Sequence, residues 1–193
     1  MRSPHRQAVD AFLTSAWPAL PASATVLDVG AGRHRGDWRI PQRRSVAMDL
    51  AGADLAYRGD CLALPHPAGT FDAVQAVEML YLVADPVAAF REMHRVLRPH
   101  GWLVVTVPFL HPPMEFGDQG RYPSAQWVQW LWHAGFSLVE VRALGGLWLG
   151  LCQLLHRSPH RWIARLGRWL ARFGLHSRHS DWWPLAWGII ARV

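Results

Sequence analysis

Two glycines that directly follow a strand-like run are the first residues of this chain whose type and spacing suggest chemistry. The stretch V-L-D-V-G-A-G starts at Val26 and ends in Gly30, Ala31 and Gly32, with the acid Asp28 inside the run. Because glycine has no Cβ, a strand that ends in such a loop lets a ligand lie against bare backbone. The sequence therefore predicts a nucleotide-like ligand at this loop, with Asp28 bracing it.

A second acid stands where a nucleotide ribose would need an acceptor. Asp49, followed by Leu50, closes the strand-like run V-A-M-D-L. In α/β nucleotide sites, an acid at the end of the second strand accepts hydrogen bonds from the ribose hydroxyls. Both dinucleotides and S-adenosylmethionine offer such a ribose, so Asp49 alone does not separate these two cofactor classes.

The segment after the glycines separates them better. A dinucleotide diphosphate rests on the N-terminus of a helix that begins at the glycine turn. Here Gly36 and Pro41 interrupt the space before the second strand, and Arg35 stands where the third glycine of that motif belongs. The pattern favours S-adenosylmethionine, which has no phosphate, and leaves a nucleotide-dependent oxidoreductase as an alternative.

Alternating strand and helix signals predict the framework that would position these residues. They indicate an α/β, Rossmann-like, doubly wound and mostly parallel seven-stranded sheet, with a helical insertion before the last strand. We expect helices over about 5–16, over 124–133 and from Pro86, which Asp85 would cap. The predicted strands are 25–29, 45–49, 56–58, 73–77, 102–107, 137–141 and a closing strand within 185–193.

Length and composition favour one domain in a reducing compartment. The 193 residues fit a core of about 20–145 with the closing strand, plus an insertion of about 146–180. The N-terminal segment is interpreted as a helix rather than a signal peptide, because Asp10 and Pro18 interrupt its apolar region. Cys61 and Cys152 match neither a disulfide framework nor a zinc site, so we expect a cytoplasmic protein.

An ordered series of sequence blocks resembles a known family. These blocks are V-L-D-V-G-A-G, R-G-D-C-L-A-L-P, F-D-A-V-Q-A-V-E-M-L and R-V-L-R-P-H-G-W-L-V-V-T-V-P-F. Over about residues 25–145 they resemble class I S-adenosylmethionine-dependent methyltransferases, nearest to the type-11 branch with its quinone-biosynthesis enzymes. By resemblance, the glycine loop and Asp49 with Leu50 hold the cofactor. The same resemblance places Asp60, Cys61 and Leu62 beside the adenine and Glu78 near the methionine moiety.

Methyl transfer from a sulfonium is an in-line displacement, so alignment of the reactants is the main contribution of the protein, worth up to about 7–11 kcal/mol. An oxygen or carbon nucleophile also needs a proton removed, and His111, just past the fifth predicted strand, is the candidate base. A backbone-bonded loop histidine is the alternative interpretation. Tyr81, Glu115 and Tyr122 are the candidate acceptor-binding residues.

Two departures from the family keep a non-catalytic alternative open. Related sequences often read E-H where Tyr81 and Leu82 stand, close to the acceptor, and P-G-G where His100 takes the middle position. A member that binds S-adenosylmethionine or a membrane without turnover is therefore retained as an alternative. We expect no metal site, because Pro159 lies between His156 and His160, and because His176 and His179 have no carboxylate or thiol partner nearby.

The C-terminal quarter carries the positive charge. The whole chain has a net charge of +6. The segment from Val141 onward contains eight arginines and only one acidic residue, Asp181. Arginines and tryptophans lie on opposite faces of a helix that would start after Pro159. Residues 147–173 would pack over the sheet, cover the site as a lid, or contact the inner surface of a membrane.

The lid and membrane interpretations of this segment both favour a small, amphiphilic acceptor that is aromatic, lipid-linked or quinone-like. Nucleic acid is a weaker match, because the arginine stripe lies on a helix with a strongly apolar face and no known reading module is present. The oligomeric state leaves no signal in the sequence.

Overall fold

The computed structural model describes residues 3–17, 20–21, 23–32, 44–50, 57–110, 117–156, 158–170 and 184–193. Its five helices within those ranges are α1 (Pro4–Ala16), α2 (Pro86–Val96), α3 (Ser124–His133), α4 (Leu147–His156) and α5 (Arg161–Leu170), with a short 3-10 turn at Leu80–Leu82. The strands are β1 (Thr25–Val29), β2 (Arg44–Asp49), β3 (Tyr57–Arg58), β4 (Phe71–Val77), β5 (Leu97–Pro108), β6 (Ser137–Leu144) and β7 (Ala186–Arg192).

Seven strands of the described ranges form one sheet in the order β3-β2-β1-β4-β5-β7-β6. The pairs from β3 through β5 are parallel, and β7 runs antiparallel to both of its neighbours, β5 and β6. The strand order reverses between β1 and β4, which is where ligands bind in open α/β sheets. The predicted doubly wound sheet is confirmed, and α4 and α5 lie in the predicted insertion before the last strand.

Several strand boundaries differ from the sequence prediction, most of all those of β4, β5 and β6. β5 begins at Leu97 instead of residue 102, because Leu97 pairs with Phe71 across a register shift, and this pairing also starts β4 two residues early. β6 continues to Leu144 instead of ending at residue 141, because its partner β7 pairs with it as far as Ala186. Long-range pairing decides both ends, so local residue preferences do not reveal them.

The two faces of the sheet carry different helices. On one face α2 and α3 pack Phe90, Met93 and Trp127 onto the central strands, in the larger core cluster. On the other face α1 and α4 form a second cluster that includes Phe12 and Leu149. The Phe12 ring lies so close to Gly188 of β7 that a Cβ there would be 2.7 Å from it. The absence of a side chain at this position of β7 is what lets α1 pack onto the sheet.

The start of α2 has the capping residue that the sequence predicts. Asp85 accepts a hydrogen bond from the Ala88 N–H at 2.9 Å, and Pro86 follows it in the first turn of α2. The predicted continuation of the last helix beyond Leu170 lies outside the described residues. Among the residues that are described, no helix combines the length and apolar character needed to cross a bilayer.

Candidate active site

A cavity of about 450 Å³ opens at the carboxyl ends of β1, β2 and β4. This volume lies within the range of about 300–1,000 Å³ that small-molecule sites occupy. Its wall is mostly apolar and includes three acidic residues: Asp28 in β1, Asp49 at the end of β2 and Glu78 directly after β4. The lining residues are Asp28, Val29, Gly30, Ala31, Gly32, Met48, Asp49, Leu50, Gly59, Cys61, Val77, Glu78, Met79, Leu82 and Val83.

The glycine loop has the backbone shape that its composition predicts. Gly30 and Gly32 adopt positive φ angles of 73° and 54°, a region that residues with a Cβ enter only with strain. The N–H groups of Gly30 and Ala31 donate to the Met48 carbonyl, at 2.9 and 3.1 Å. The Gly32 N–H donates to Asp49 Oδ2 at 2.7 Å, so the loop and the carboxylate hold each other.

Eight of the ten residues predicted to bind the cofactor line this cavity. The other two, Asp60 and Leu62, lie in the turn beside it, where Asp60 Oδ1 accepts the Leu62 N–H at 2.9 Å. Asp60 therefore shapes the turn that presents Cys61 to the cavity. The ligand contacts of all ten remain predictions.

Of the three apolar wall residues that follow β4, sequence reasoning placed only Leu82 near the acceptor and missed Met79 and Val83. Met79, Leu82 and Val83 line the cavity beyond the end of β4. The Met79 side chain lies against the glycine loop, since a Cβ on Gly30 would be 2.6 Å from Met79 Cγ. The signal for these residues was their position, because residues that follow a central strand lie at the carboxyl edge of the sheet.

Glu78 lies at the end of β4 in a positive-φ conformation of 53°. Its N–H donates to the Thr106 carbonyl at 2.9 Å, which fixes this conformation. Its Oε2 lies 2.7 Å from His5 Nε2 of α1, and its Oε1 is buried with no hydrogen-bond partner among the described residues. A buried carboxylate oxygen without a partner is costly, so it suits a ligand that brings a donor.

The residues of the cavity fit S-adenosylmethionine. Asp49 offers a carboxylate for a ribose, Glu78 offers an unsatisfied carboxylate oxygen for a positively charged group, and the bare glycine backbone leaves room between them. The apolar remainder of the wall suits an uncharged ring and excludes water.

Cys61 faces the cavity as a protonated thiol. Burial, reinforced by the neighbouring Asp60 carboxylate, raises the pKa of the Cys61 thiol to about 11. Because only the thiolate is a good nucleophile, Cys61 is unreactive near neutral pH. It therefore acts as a small apolar wall residue there.

We expect alkylation of Cys61 by iodoacetamide, measured in the Cys152→Ala variant to remove the other cysteine, to accelerate about tenfold per pH unit from pH 7 to 10. The reason is that the thiolate fraction grows tenfold per unit below the pKa. A rate that levels off by pH 9 would contradict the raised pKa. Bound S-adenosylhomocysteine should slow the reaction at every pH.

The residues predicted to bind the acceptor are scattered. Tyr81 is buried behind Leu82, with the Arg121 guanidinium 4.8 Å from its ring centre, and burial raises the pKa of its hydroxyl. Tyr122 packs its ring against Trp127 and Trp130, and its hydroxyl donates to a backbone carbonyl, so its ring belongs to an aromatic cluster rather than to the cavity wall. The predicted base His111 and the predicted acceptor residue Glu115 lie outside the described residues.

The part of the chain that the structure describes contains no cluster of side chains that could bind a metal ion. Within it, no group of three or more histidines, cysteines or acids is arranged to hold a metal ion. Both cysteines are free thiols in the structure.

A family model and several curated proteins match this chain. A family model described as a methyltransferase domain matches residues 1–176. The demethylmenaquinone methyltransferase of Roseiflexus castenholzii is 33% identical over 110 residues, which cover 56% of this chain and 42% of that protein. The chain spans less than half the length of this relative and of other curated relatives that it matches.

Solved structures share the fold at low sequence identity. An S-adenosylmethionine-dependent methyltransferase from Mesorhizobium loti superposes with a TM-score of 0.62 at 17% identity, over 96% of this chain and 98% of that chain. The cyclase SpnF superposes with a TM-score of 0.66 at 20% identity, over 97% of this chain and 80% of that chain. The same fold thus also occurs in a protein named for a different reaction.

Proposed function

Since this chain belongs to the methyltransferase-domain family, whose class I members depend on S-adenosylmethionine, we propose that it methylates a small apolar acceptor. The observation that carries this proposal is the pairing of the Gly32 N–H with the Asp49 carboxylate on the wall of a ligand-sized cavity. That pairing joins the bare-backbone loop to a ribose acceptor at the strand-order reversal of the sheet.

Each part of the cavity wall has a distinct role in this proposal. Asp49 binds the ribose, the backbone from Gly30 to Gly32 leaves space for the cofactor, and Glu78 attracts its positively charged end. S-adenosylmethionine, when bound, supplies a methyl group on a positively charged sulfur that a nucleophile displaces. Met79, Leu82 and Val83 exclude water beside it, because their side chains form the apolar wall.

The rate enhancement comes mainly from orientation, since methyl displacement needs the nucleophile in line with the breaking bond. Positioning of this kind contributes up to about 7–11 kcal/mol. His111 remains the proposed base for an acceptor that must lose a proton, and Tyr81, Glu115 and Tyr122 remain the proposed acceptor-side residues. Leu82 is 40% exposed at the rim of the cavity, which gives an apolar acceptor a surface to enter along.

A quinone-like or lipid-linked acceptor is the finer part of the proposal. The Roseiflexus relative is named for a quinone, demethylmenaquinone. The apolar rim at Leu82, the apolar helix α4 and the amphipathic helix α5 support an acceptor of that character.

Isothermal titration tests the cofactor assignment, and a methyl-transfer assay tests the reaction. In the titration we expect S-adenosylmethionine and S-adenosylhomocysteine to bind and NAD not to bind. In the transfer assay we expect methylation of a short-chain naphthoquinol. Binding of the sulfur cofactors without transfer to quinols, phenols or amines would favour the non-catalytic alternative. Binding of NAD alone would favour the oxidoreductase.

We also propose that the protein contacts a membrane surface through α4 and α5. Seven large apolar side chains on these helices are 41–68% exposed, and we refer to them as the Trp–Leu surface. Arg161 and Arg165 of α5 are exposed beside it. Apolar side chains bordered by arginines suit a bilayer interface with anionic headgroups. The Trp–Leu surface consists of Leu147, Trp148, Leu151, Leu154, Trp162, Leu166 and Trp169.

We expect replacement of Trp162, Leu166 and Trp169 by serine to weaken binding to anionic vesicles at least about tenfold, because each loses apolar burial in the interface. Co-sedimentation with phosphatidylglycerol vesicles measures this effect. Trp132→Ser is the matched control, since Trp132 is 62% exposed on α3, outside the Trp–Leu surface. Equal pelleting of the triple variant and the control variant would remove the membrane proposal.

A further inference from the structure

The first helix contacts one of the cavity-lining residues, Glu78, through the side chain of His5. Its Nε2 lies 2.7 Å from Glu78 Oε2, and the contact joins residues 73 positions apart in the chain. A carboxylate oxygen only accepts, so the imidazole Nε2 donates in this hydrogen bond. His5 is 8% exposed, and its ring extends from α1 to Glu78 at the end of β4.

The backbone of His5 is tied to a different helix. The first N–H groups of a helix lack partners within that helix and need acceptors from outside. Gln153 of α4 supplies one, since its Oε1 accepts the His5 N–H at 3.3 Å. Gln153 is 4% exposed, so this contact is shielded from water. The first turn of α1 is therefore fixed to α4 at the residue that touches Glu78.

These contacts leave the two oxygens of Glu78 in different situations. Oε2 bonds His5, whereas Oε1 is buried and has no hydrogen-bond partner in the described part of the chain. With Oε2 engaged and the backbone held at φ 53° by the Thr106 carbonyl, the carboxylate has little freedom to turn. Oε1 is then the oxygen that remains for a donor on a ligand.

We propose that His5 is a positioning residue: it holds Glu78 so that Oε1 accepts from the positively charged amino-acid end of the cofactor. This inference rests on the proposed function, because it needs S-adenosylmethionine in the cavity beside Glu78. It adds to that function a residue from α1, which is outside the glycine loop and outside the strand that ends in Asp49. Gln153 supports His5 by fixing the turn that carries it.

A merely structural ion pair makes a different prediction. If His5 and Glu78 only stabilise the packing of α1, loss of His5 loosens the whole cavity and weakens every ligand alike. If His5 orients Glu78, only ligands that carry the amino-acid end are affected. S-adenosylhomocysteine has that end, and 5′-methylthioadenosine has the same nucleoside without it.

The test measures both ligands by calorimetry on the full chain and on His5 variants. We expect His5→Ala and His5→Asn to lower S-adenosylhomocysteine affinity about tenfold and to leave 5′-methylthioadenosine affinity within about twofold, since one charge-assisted hydrogen bond is lost. His5→Gln should retain most of the affinity, because its longer amide reaches Glu78 with a donor where the shorter amide of Asn does not. Equal losses for both ligands, or no rescue by Gln, would overturn the proposal.

A double-mutant cycle checks that His5 acts through Glu78. We expect Glu78→Gln to weaken S-adenosylhomocysteine selectively, and His5→Ala to have little further effect in that background. Additive losses would contradict a shared role. Gln153→Ala should give a smaller selective loss of about threefold, in line with one neutral hydrogen bond.

The outcomes separate this inference from the proposed function. A wild-type chain that binds neither S-adenosylmethionine nor S-adenosylhomocysteine removes the proposed function. A wild-type chain that binds both, with His5→Asn binding S-adenosylhomocysteine equally well, removes only the role of His5. If His5→Ala does not fold, the Asn and Gln variants make the same comparison.

Discussion

Replacing Asp49 by alanine is expected to lower the affinity for S-adenosylhomocysteine by about 100-fold or more. Two ribose hydroxyls would each lose a hydrogen bond to a charged acceptor, worth about 1.5–3 kcal/mol apiece. The glycine loop also loses its anchor, since Asp49 Oδ2 accepts the Gly32 N–H at 2.7 Å. Isothermal titration of the purified variant measures the affinity.

Asp85 provides a matched control for this substitution. Its carboxylate also accepts one backbone N–H, that of Ala88 at 2.9 Å, but it caps α2 and does not line the cavity. Asp85→Ala should cost stability and leave S-adenosylhomocysteine affinity unchanged. An Asp49→Ala variant that binds as tightly as Asp85→Ala would show that the carboxylate is not a ligand contact. Asp49→Asn should fall between, because its amide oxygen can still anchor Gly32.

Replacing Gly30 by alanine is expected to abolish cofactor binding and lower the thermal unfolding temperature by about 4–10 °C. The positive φ of 73° costs an alanine about 1–2 kcal/mol. The added Cβ would also lie 2.7 Å from Met79 Cβ, an atom too close to its backbone to move aside freely. For a domain of this size, each kcal/mol lowers the unfolding temperature by about 2–4 °C.

Gly69 separates backbone strain from collision. It has a similar positive φ of 64°, yet a Cβ at this position would meet nothing within 4 Å. Gly69→Ala should therefore lower the unfolding temperature by about 2–8 °C, from backbone strain alone and by less than Gly30→Ala, with cofactor affinity unchanged. Equal unfolding temperatures for the two variants would mean that Met79 moves away from the loop without cost. Scanning calorimetry and titration together distinguish these outcomes.

Individual strands and helices could be predicted where their signals are local in the sequence. Thr25–Val29 and Ser124–His133 have the bounds that apolar runs and helix-ending residues indicate. The early start of β5 at Leu97 could not be predicted in this way. Its first residue pairs with Phe71, and such pairing depends on how two distant segments align rather than on either segment alone.

The same distinction holds for the cavity. Gly30, Gly32 and Asp49 could be identified because they end strands whose apolar pattern is visible in the sequence. His5 could not, because its partner Glu78 is far along the chain and no spacing rule connects a helix residue to a strand end. Met79 was missed for a different reason, since a methionine after a strand is equally compatible with ordinary core packing.

The position of β7 in the sheet has a consequence for how the chain matures on the ribosome. β7 follows the other six strands of the sheet in the chain, yet it lies between β5 and β6 and carries Gly188, against which Phe12 of α1 packs. Until that strand emerges, one edge of β5 is unpaired, β6 has no neighbouring strand in the sheet, and α1 lacks its contacts with β7. We therefore expect nascent chains stalled before β7 to remain sensitive to proteases at both ends of the synthesised chain. We expect the cavity to bind its ligand only after β7 has been translated.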